Sequence, residues 1–202
     1  MEEYVKQGGT LVLGCRSGYK QENGQAVMVP APGLLSGLCG CSVRESSFRH
    51  PAADTALVRW GEEVFPAPVF HELLDCEDRG AEVLARYENS WFADTPALIR
   101  HRYGKGSCLY WGSTFTAELL KKLFGYTGTD GIYDDLLEAP ESVEITERRK
   151  DGRRFIILLN YLPQKETIVL RRKAYDLLHH KEAENELVLE PFDAAVLEIT
   201  AE

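Results

Sequence analysis

Residues Tyr4 to Gly18 read YVKQGGTLVLGCRSG, and the order helix end, glycine pair, short apolar run, loop decides how the rest of the chain is read. Tyr4 and Val5 close an amphipathic turn. Gly8 and Gly9 supply the positive φ that stops a helix, and Thr10 to Leu13 is a β-branched, apolar run too short for a surface helix. A strand entered from a helix through two glycines is typical of a parallel sheet with helices on its faces. Ligand loops in such sheets follow the strands' carboxyl ends. Gly14, Cys15, Arg16, Ser17 and Gly18 are thereby placed at the rim where an α/β domain carries its chemistry.

Working outward, Met1 to Gln7 reads as the last turns of a helix with no strand before it. A crossover helix joins two parallel strands, so the start is expected to be truncated. On the other side, Tyr19 to Gly24 is turn-rich and Gln25 to Val29 weakly extended. Leu34, Leu35 and Leu38 predict a short helix that Gly40 ends. From Ser42 to Asp54 turn formers outnumber core formers, which predicts an irregular stretch. Thr55 to Trp60 reads as a strand, Gly61 to Pro68 as a break, and Val69 to Leu74 as either helix or strand. Glu82 to Tyr87 and Pro96 to Arg102 read as strands around a turn, Glu88 to Asp94, that holds Trp91 and Phe92. Ala97 to Gly112 reads as a hairpin turning at Tyr103 to Gly106. A helix is predicted over Thr116 to Phe124, with Leu119, Leu120 and Leu123 on its inner face.

Glu138 to Ser142 reads as a linker around Pro140, because the pattern beyond it is purely extended. Val143 to Thr146 alternates, Asp151-Gly152 is a hairpin turn, and Phe155 to Tyr161, Thr167 to Leu170, Ala174 to Leu178, Glu186 to Leu189 and Ala194 to Ile199 follow as short strands. The predicted organisation is an α/β domain over residues 1–138 and an antiparallel β domain over residues 140–202.

The 202 residues carry a formal charge of −9, from 32 acidic and 23 basic side chains. Nucleic acids and anionic membranes need a cationic face, so both are excluded as partners. No apolar run reaches membrane-spanning length, and no charged region followed by an apolar stretch opens the chain. Five cysteines, an odd number without a repeating framework, read as reduced thiols in a cytoplasmic protein.

Each chemical motif has a plainer reading beside it. Cys15, on a turn just after a strand within Gly-Cys-Arg-Ser-Gly, resembles the nucleophile elbow of cysteine-dependent amidotransferases and hydrolases, and Arg16 would lower its pKa. That elbow needs a histidine with an orienting carboxylate, and His50, His71 and His101 stand in segments without such a pairing. Cys39-Gly40-Cys41 lacks the second pair of a zinc site. Gly104-Lys105-Gly106-Ser107 lacks the spacing of a phosphate loop and reads as a hairpin turn. His179-His180 reads as a solvated pair. Trp60, Trp91 and Trp111 have the chemistry to stack sugars, but such residues more often pack in a core or an interface. Trp91 with Phe92, on a turn, is kept as a candidate contact surface. Glu62-Glu63, Asp134-Asp135 and Glu138 fall in turns or exposed helix, where acids are ordinary. No metal or cofactor is called for.

Three stretches together carry a family resemblance: EEYVKQGGTLVLGCRSGYKQENG, HRYGKGSCLYWGS, and FIILLNYLPQKETIVL with the closing LVLEPFDAAVLEIT. They resemble the region downstream of the barrel in family 42 β-galactosidases. The first two are similar to its trimerisation domain and the third to its small C-terminal β domain. The resemblance implies a partial flavodoxin-like fold, similar to class I glutamine amidotransferases and truncated at the N-terminus, followed by an antiparallel β domain. It also implies that the acid/base and nucleophile, two glutamates of a retaining glycosidase, lie on a (β/α)8 barrel of about 250 residues with no counterpart here. Cys15 is then not a nucleophile, although a cysteine departs from the family's usual residues in that loop.

The chain is thus expected to be the non-catalytic assembly portion of a β-galactosidase acting on terminal β-D-galactosides. Its partner would be itself, as a homotrimer in the parent protein, and galactosides would bind only through the missing barrel. The alternatives are a cysteine-dependent hydrolase or amidotransferase relative with Cys15 as nucleophile, and a carbohydrate-binding module using Trp91, Phe92 and the terminal β domain.

Overall fold

Gly8, at φ 117°, ends the short helix α1 (Glu2–Lys6) and sends the chain into β1 (Thr10–Leu13). The computed structural model describes residues 1–50, 55–76 and 79–199. Two compact units divide it between Gly128 and Thr129.

In the first unit a single helical turn at Gly33–Leu35 runs into α2 (Ser36–Cys39), then β2 (Cys41–Phe48), β3 (Ala56–Trp60), β4 (Glu63–Ala67) and β5 (Phe70–Cys76). β6 (Ala81–Tyr87), β7 (Pro96–Tyr103), β8 (Gly106–Trp111) and α3 (Ala117–Thr127) follow. A six-stranded sheet has the order β1-β8-β7-β6-β3-β4, and β2 pairs with β5 in a two-stranded sheet.

This overturns the α/β expectation. β1 runs parallel to β8, Thr10 opposite Ser107 and Leu13 opposite Tyr110, but every other pair among the described strands is antiparallel. A flavodoxin-like or glutamine amidotransferase-like domain needs a crossover helix between successive parallel strands. Here every strand described between β1 and β8 pairs antiparallel, the helical structure between them is one turn and the four-residue α2, and the protein is mostly β. The glycine pair identified one parallel strand correctly; extending that one strand to the whole sheet was the error.

Two local expectations fail for a related reason. Ser42 to Phe48, read as irregular, is most of β2; its polar residues 44–46 and Phe48 are exposed, while Cys41 and Val43 are buried. Pro51–Asp54, the end of that stretch, lie outside the described residues. Glu63–Ala67, within the stretch Gly61 to Pro68 read as a break, is an edge strand, where the N–H missing at Pro66 is tolerated. β5, left open between helix and strand, is a strand whose residues 71–74 are all buried.

α3 ends the unit. The Thr116 side chain caps it by accepting from Leu119 N–H at 3.3 Å, and Gly128 closes it at φ 66°. Leu119 and Leu123, one turn apart, are fully buried in a core with Val58, Trp60, Phe65, Tyr87, Phe92 and Trp111. Each leucine contributes roughly 1.5–3 kcal/mol by its burial.

The second unit holds β9 (Leu137–Glu138), β10 (Val143–Lys150), β11 (Arg153–Asn160), β12 (Glu166–Leu170), β13 (Ala174–Asp176), β14 (Lys181–Ala183), β15 (Glu186–Leu189) and β16 (Ala194–Ile199). Its sheets, β10-β11-β16-β13-β14 and β15-β12-β9, share one core that includes Ile156, Leu158, Ile168, Leu187 and Leu197. Asp151 at φ 51° and Gly152 at φ 76° make the turn between β10 and β11. Leu136 and Leu137 belong to this core, so the unit begins before the Pro140 linker read from sequence.

Candidate functional site

The loop after β1 is organised by a carboxylate from a distant strand. Glu72, in the middle of β5, has no exposed surface. Its Oε1 accepts from the Arg16 backbone N–H at 2.8 Å and from the Tyr19 hydroxyl at 3.0 Å, and its Oε2 accepts from the Tyr110 hydroxyl at 2.8 Å. Tyr87 donates to Gly112 O at 2.9 Å, and Glu72 N–H donates to the same carbonyl at 2.6 Å. Burial pushes the Glu72 carboxyl above the usual carboxylate range, while the three donors and the Arg16 charge pull it back. Arg16 takes φ 66°, a conformation costly for a residue with a side chain, and its guanidinium lies 5.6 Å from the centre of the Phe70 ring. Gly18 packs so tightly on Pro32 that a Cβ there would stand 1.9 Å from the Pro32 carbonyl oxygen.

Cys15 is half-buried on this loop. Its thiol is pushed up to about 11 by burial first and by the Glu72 carboxylate second, against a smaller pull from Arg16. A cysteine nucleophile needs a lowered pKa and a neighbouring base. The nearest partner of the loop is instead a carboxylate, and the histidines point elsewhere. His71 Nε2 pairs with Ala67 O at 2.7 Å and its ring packs on Tyr87 and Phe92; His101 Nδ1 pairs with Leu38 O at 3.0 Å. Burial and the Glu72 carboxylate both act against an activated sulfur, and the hydrogen bonds to Glu72 hold the shape of the loop.

The structure separates the aromatic pair. Trp91 is 66% exposed, whereas Phe92 is 1% exposed and packs edge-on to Tyr87 at 4.8 Å. Phe92 is a core residue that supports Trp91, with ring centres 5.2 Å apart at 83°. The turn is held by Thr95 Oγ1 donating to Phe92 O at 2.6 Å, Arg86 donating to Asp94 O at 2.7 Å, and Leu57 N–H donating to Asn89 Oδ1 at 2.6 Å. Ser90 and Asp94 sit at φ 113° and 65°.

Trp111 is fully buried and Trp60 nearly so, with the Tyr126 ring 5.2 Å from Trp60. Cys39 and Cys108 sulfurs lie 3.7 Å apart in a core that also holds Cys41. The Gly104–Ser107 segment is a hairpin turn packed against the Lys6 backbone. His179 is not merely solvated: its Nδ1 is 2.7 Å from Oδ2 of the buried Asp176. Among the described residues, no group of three His, Cys, Asp or Glu is placed to hold a metal ion. No helix there is long and apolar enough to cross a membrane.

Glu72 escaped the sequence reading because one acid inside Val69–Leu74 fits an exposed helix position as well as a strand. Its signal was the flanking apolar run, Val69, Phe70, Leu73 and Leu74, in which Glu72 and His71 are the two polar residues.

A surface cavity of about 660 Å³ lies between β4 and α3, lined by Glu63, Phe65, Glu118, Lys121, Lys122 and Tyr126 with Gly125. Its lining combines two aromatic residues with four charged ones, two acidic and two basic.

The β-galactosidase trimerisation domain model matches residues 1–130, and the β-galactosidase C-terminal domain model matches residues 142–198. β-Galactosidase BgaA of Planococcus sp. (strain 'SOS Orange') is 28% identical over 203 residues, a match covering 98% of this chain and 30% of the relative. β-Galactosidase BgaB of Geobacillus sp. (strain Y412MC61) is 27% identical over 170 residues, covering 84% and 25%. The chain therefore spans at most about a third of the length of these relatives. Among solved structures, β-galactosidase from Bacillus circulans sp. alkalophilus superposes with a TM-score of 0.80 at 25% identity, covering 98% of this chain and 30% of that one. The β-galactosidase of the haloarchaeon Halorubrum lacusprofundi shares the fold at a TM-score of 0.69 and 21% identity, covering 97% and 28%. The chain belongs to the family 42 β-galactosidases, with their trimerisation domain over residues 1–130 and their C-terminal domain over residues 142–198.

Proposed function

We propose that this chain is the assembly portion of a cytoplasmic β-galactosidase: the first unit joins copies, as a homotrimer in the parent protein, and neither unit breaks a glycosidic bond. Cleavage of terminal β-D-galactosides is assigned to a (β/α)8 barrel, which takes about 250 residues and has no counterpart among the described residues. The observation that carries this reading is the match of residues 1–130 to a trimerisation domain in a chain that covers 30% of a curated β-galactosidase. The candidate nucleophile points the same way, since Cys15 is held protonated at neutral pH. The test is to purify the chain, follow its mass by sedimentation velocity, and assay it on a chromogenic galactoside. Self-association without turnover is expected; turnover that tracks the purified chain through successive columns would overturn the reading.

A further inference from the structure

We propose that Cys76, Cys41, Cys39 and Cys108 form a redox modification site: a hydroperoxide oxidises the exposed Cys76, and the oxidation passes inward to rest as a disulfide between Cys39 and Cys108. These four cysteines come from four elements, β5, β2, α2 and β8, yet stand in one series from surface to core. The Cys39 and Cys108 sulfurs lie 3.7 Å apart, and neither residue has exposed surface. Gly40, at φ 65°, turns the chain so that Cys41 joins the same core, where its side chain hydrogen-bonds that of Cys39. Cys41 in turn stands directly opposite Cys76 where β2 pairs with β5. Opposed residues of an antiparallel pair share a face with Cα atoms about 4.5–5.5 Å apart, inside the range of about 4.4–6.8 Å that a disulfide spans. Cys76 is the exposed end of the series; its sulfur is 3.7 Å from the carbonyl oxygen of Ala81, which packs on the core that holds the other three.

Each step balances. The Cys76 sulfur attacks hydrogen peroxide: a sulfur–oxygen bond forms, the oxygen–oxygen bond breaks, and the thiol proton leaves with the second oxygen as water, giving a sulfenic acid. Cys41 then attacks that sulfur; a Cys41–Cys76 disulfide forms, the sulfur–oxygen bond breaks, and the Cys41 proton leaves with the hydroxyl as a second water. Cys39 attacks Cys41 and releases Cys76, and Cys108 attacks Cys39 and releases Cys41, each departing sulfur taking the attacker's proton. The sum is two thiols and one peroxide giving one disulfide and two waters. Cys39 lies between Cys41 and Cys108, the order that the last exchange needs. The Cys108 thiol is pushed up by its contact with Cys39 and then by burial, so it attacks without leaving a charge in the core, and the transfer takes on the order of minutes to hours. Peroxide has no surface of Cys39 or Cys108 to meet, which makes Cys76 the entry.

The test treats the full chain with hydrogen peroxide, blocks the remaining thiols by alkylation in denaturant, and maps the digested peptides by mass spectrometry at successive times. A linked Cys39–Cys108 peptide is expected to accumulate in the natural chain. In Cys76→Ser, whose substitution lies on the surface and whose folding circular dichroism checks, that peptide is expected to form at least about tenfold more slowly. Three outcomes would overturn the proposal: Cys39 and Cys108 still alkylated while Cys76 is carried on to a sulfinic acid, a disulfide that rests at Cys41–Cys76, or a Cys39–Cys108 peptide that appears as fast in Cys76→Ser as in the natural chain.

Discussion

The Tyr110 hydroxyl donates to Glu72 Oε2 at 2.8 Å, tying β8, the parallel neighbour of β1, to β5 of the other sheet through a carboxylate with no exposed surface. The other oxygen of that carboxylate holds the loop that leaves β1. Three chain segments far apart in sequence therefore meet on one side chain.

Glu72→Ala takes the acceptor from the buried Tyr110 hydroxyl and from the part-buried bonds of the Arg16 N–H and the Tyr19 hydroxyl, and is expected to cost about 2–4 kcal/mol, measured by urea unfolding. Glu72→Gln keeps an acceptor and is expected to cost less. The pH dependence has a definite sign. A carboxyl raised on folding favours the protonated folded state, so its contribution is full below the unfolded value and is lost as pH rises through the folded one. The stability of the natural chain relative to Glu72→Gln should therefore fall as pH rises from about 4 towards neutrality. A flat difference over that range would show that Glu72 is ionised without penalty.

Cys15 is expected to react slowly with iodoacetamide at neutral pH, its rate climbing without a plateau between about pH 7 and 9 because its thiol is pushed up to about 11. Removing the Glu72 charge takes away one of the two causes, so in Glu72→Gln the profile should move to lower pH. A natural chain whose labelling levels off near neutrality would contradict the geometry of the loop.

Gly18→Ala places a Cβ 1.9 Å from the Pro32 carbonyl oxygen at φ 72°, whereas Gly24→Ala, at φ 80°, meets nothing within 4 Å. Both require the left-handed backbone, which costs about 1–2 kcal/mol with a side chain. The difference between the two variants isolates the backbone collision. Gly18→Ala is expected to lose more than about 3 kcal/mol and Gly24→Ala about 1 kcal/mol in thermal unfolding. Equal losses would mean the Gly14–Gly18 loop shifts freely.

Asp176 in the second unit is buried, which alone would raise its carboxyl. Hydrogen bonds from the His179 ring and the backbone N–H groups of Leu178 and His179 outweigh this and hold it below the ordinary value of about 3.8. A lowered carboxyl stabilises the fold above its unfolded value, and that contribution is lost as pH falls through the folded value. The chain should therefore lose stability below about pH 4, more steeply than Asp176→Asn, as followed by far-ultraviolet circular dichroism during acid titration. Parallel titration curves would remove Asp176 from the acid response.

Local chemistry was legible wherever a few neighbouring residues settle the backbone. Gly8 stops α1, Thr116 opens α3, Asp151-Gly152 turns β10 into β11, and Thr10–Leu13 is a strand parallel to its neighbour. Family membership was legible too, because it rests on the order of such motifs along the chain.

Pairing across distance was not legible. Nothing near Thr10 says that its sheet continues through hairpins, so an α/β fold was expected where antiparallel strands stand. A single glutamate in β5 reads the same whether it faces water or three donors from other strands, and Trp91 and Phe92 are adjacent yet opposite in burial. Turns and caps are short-range energies carried by a handful of successive residues, so the sequence alone determined them. Sheet order, the Glu72 junction and the exposure of Trp91 depend on which distant segments meet, and only the tertiary structure decided those.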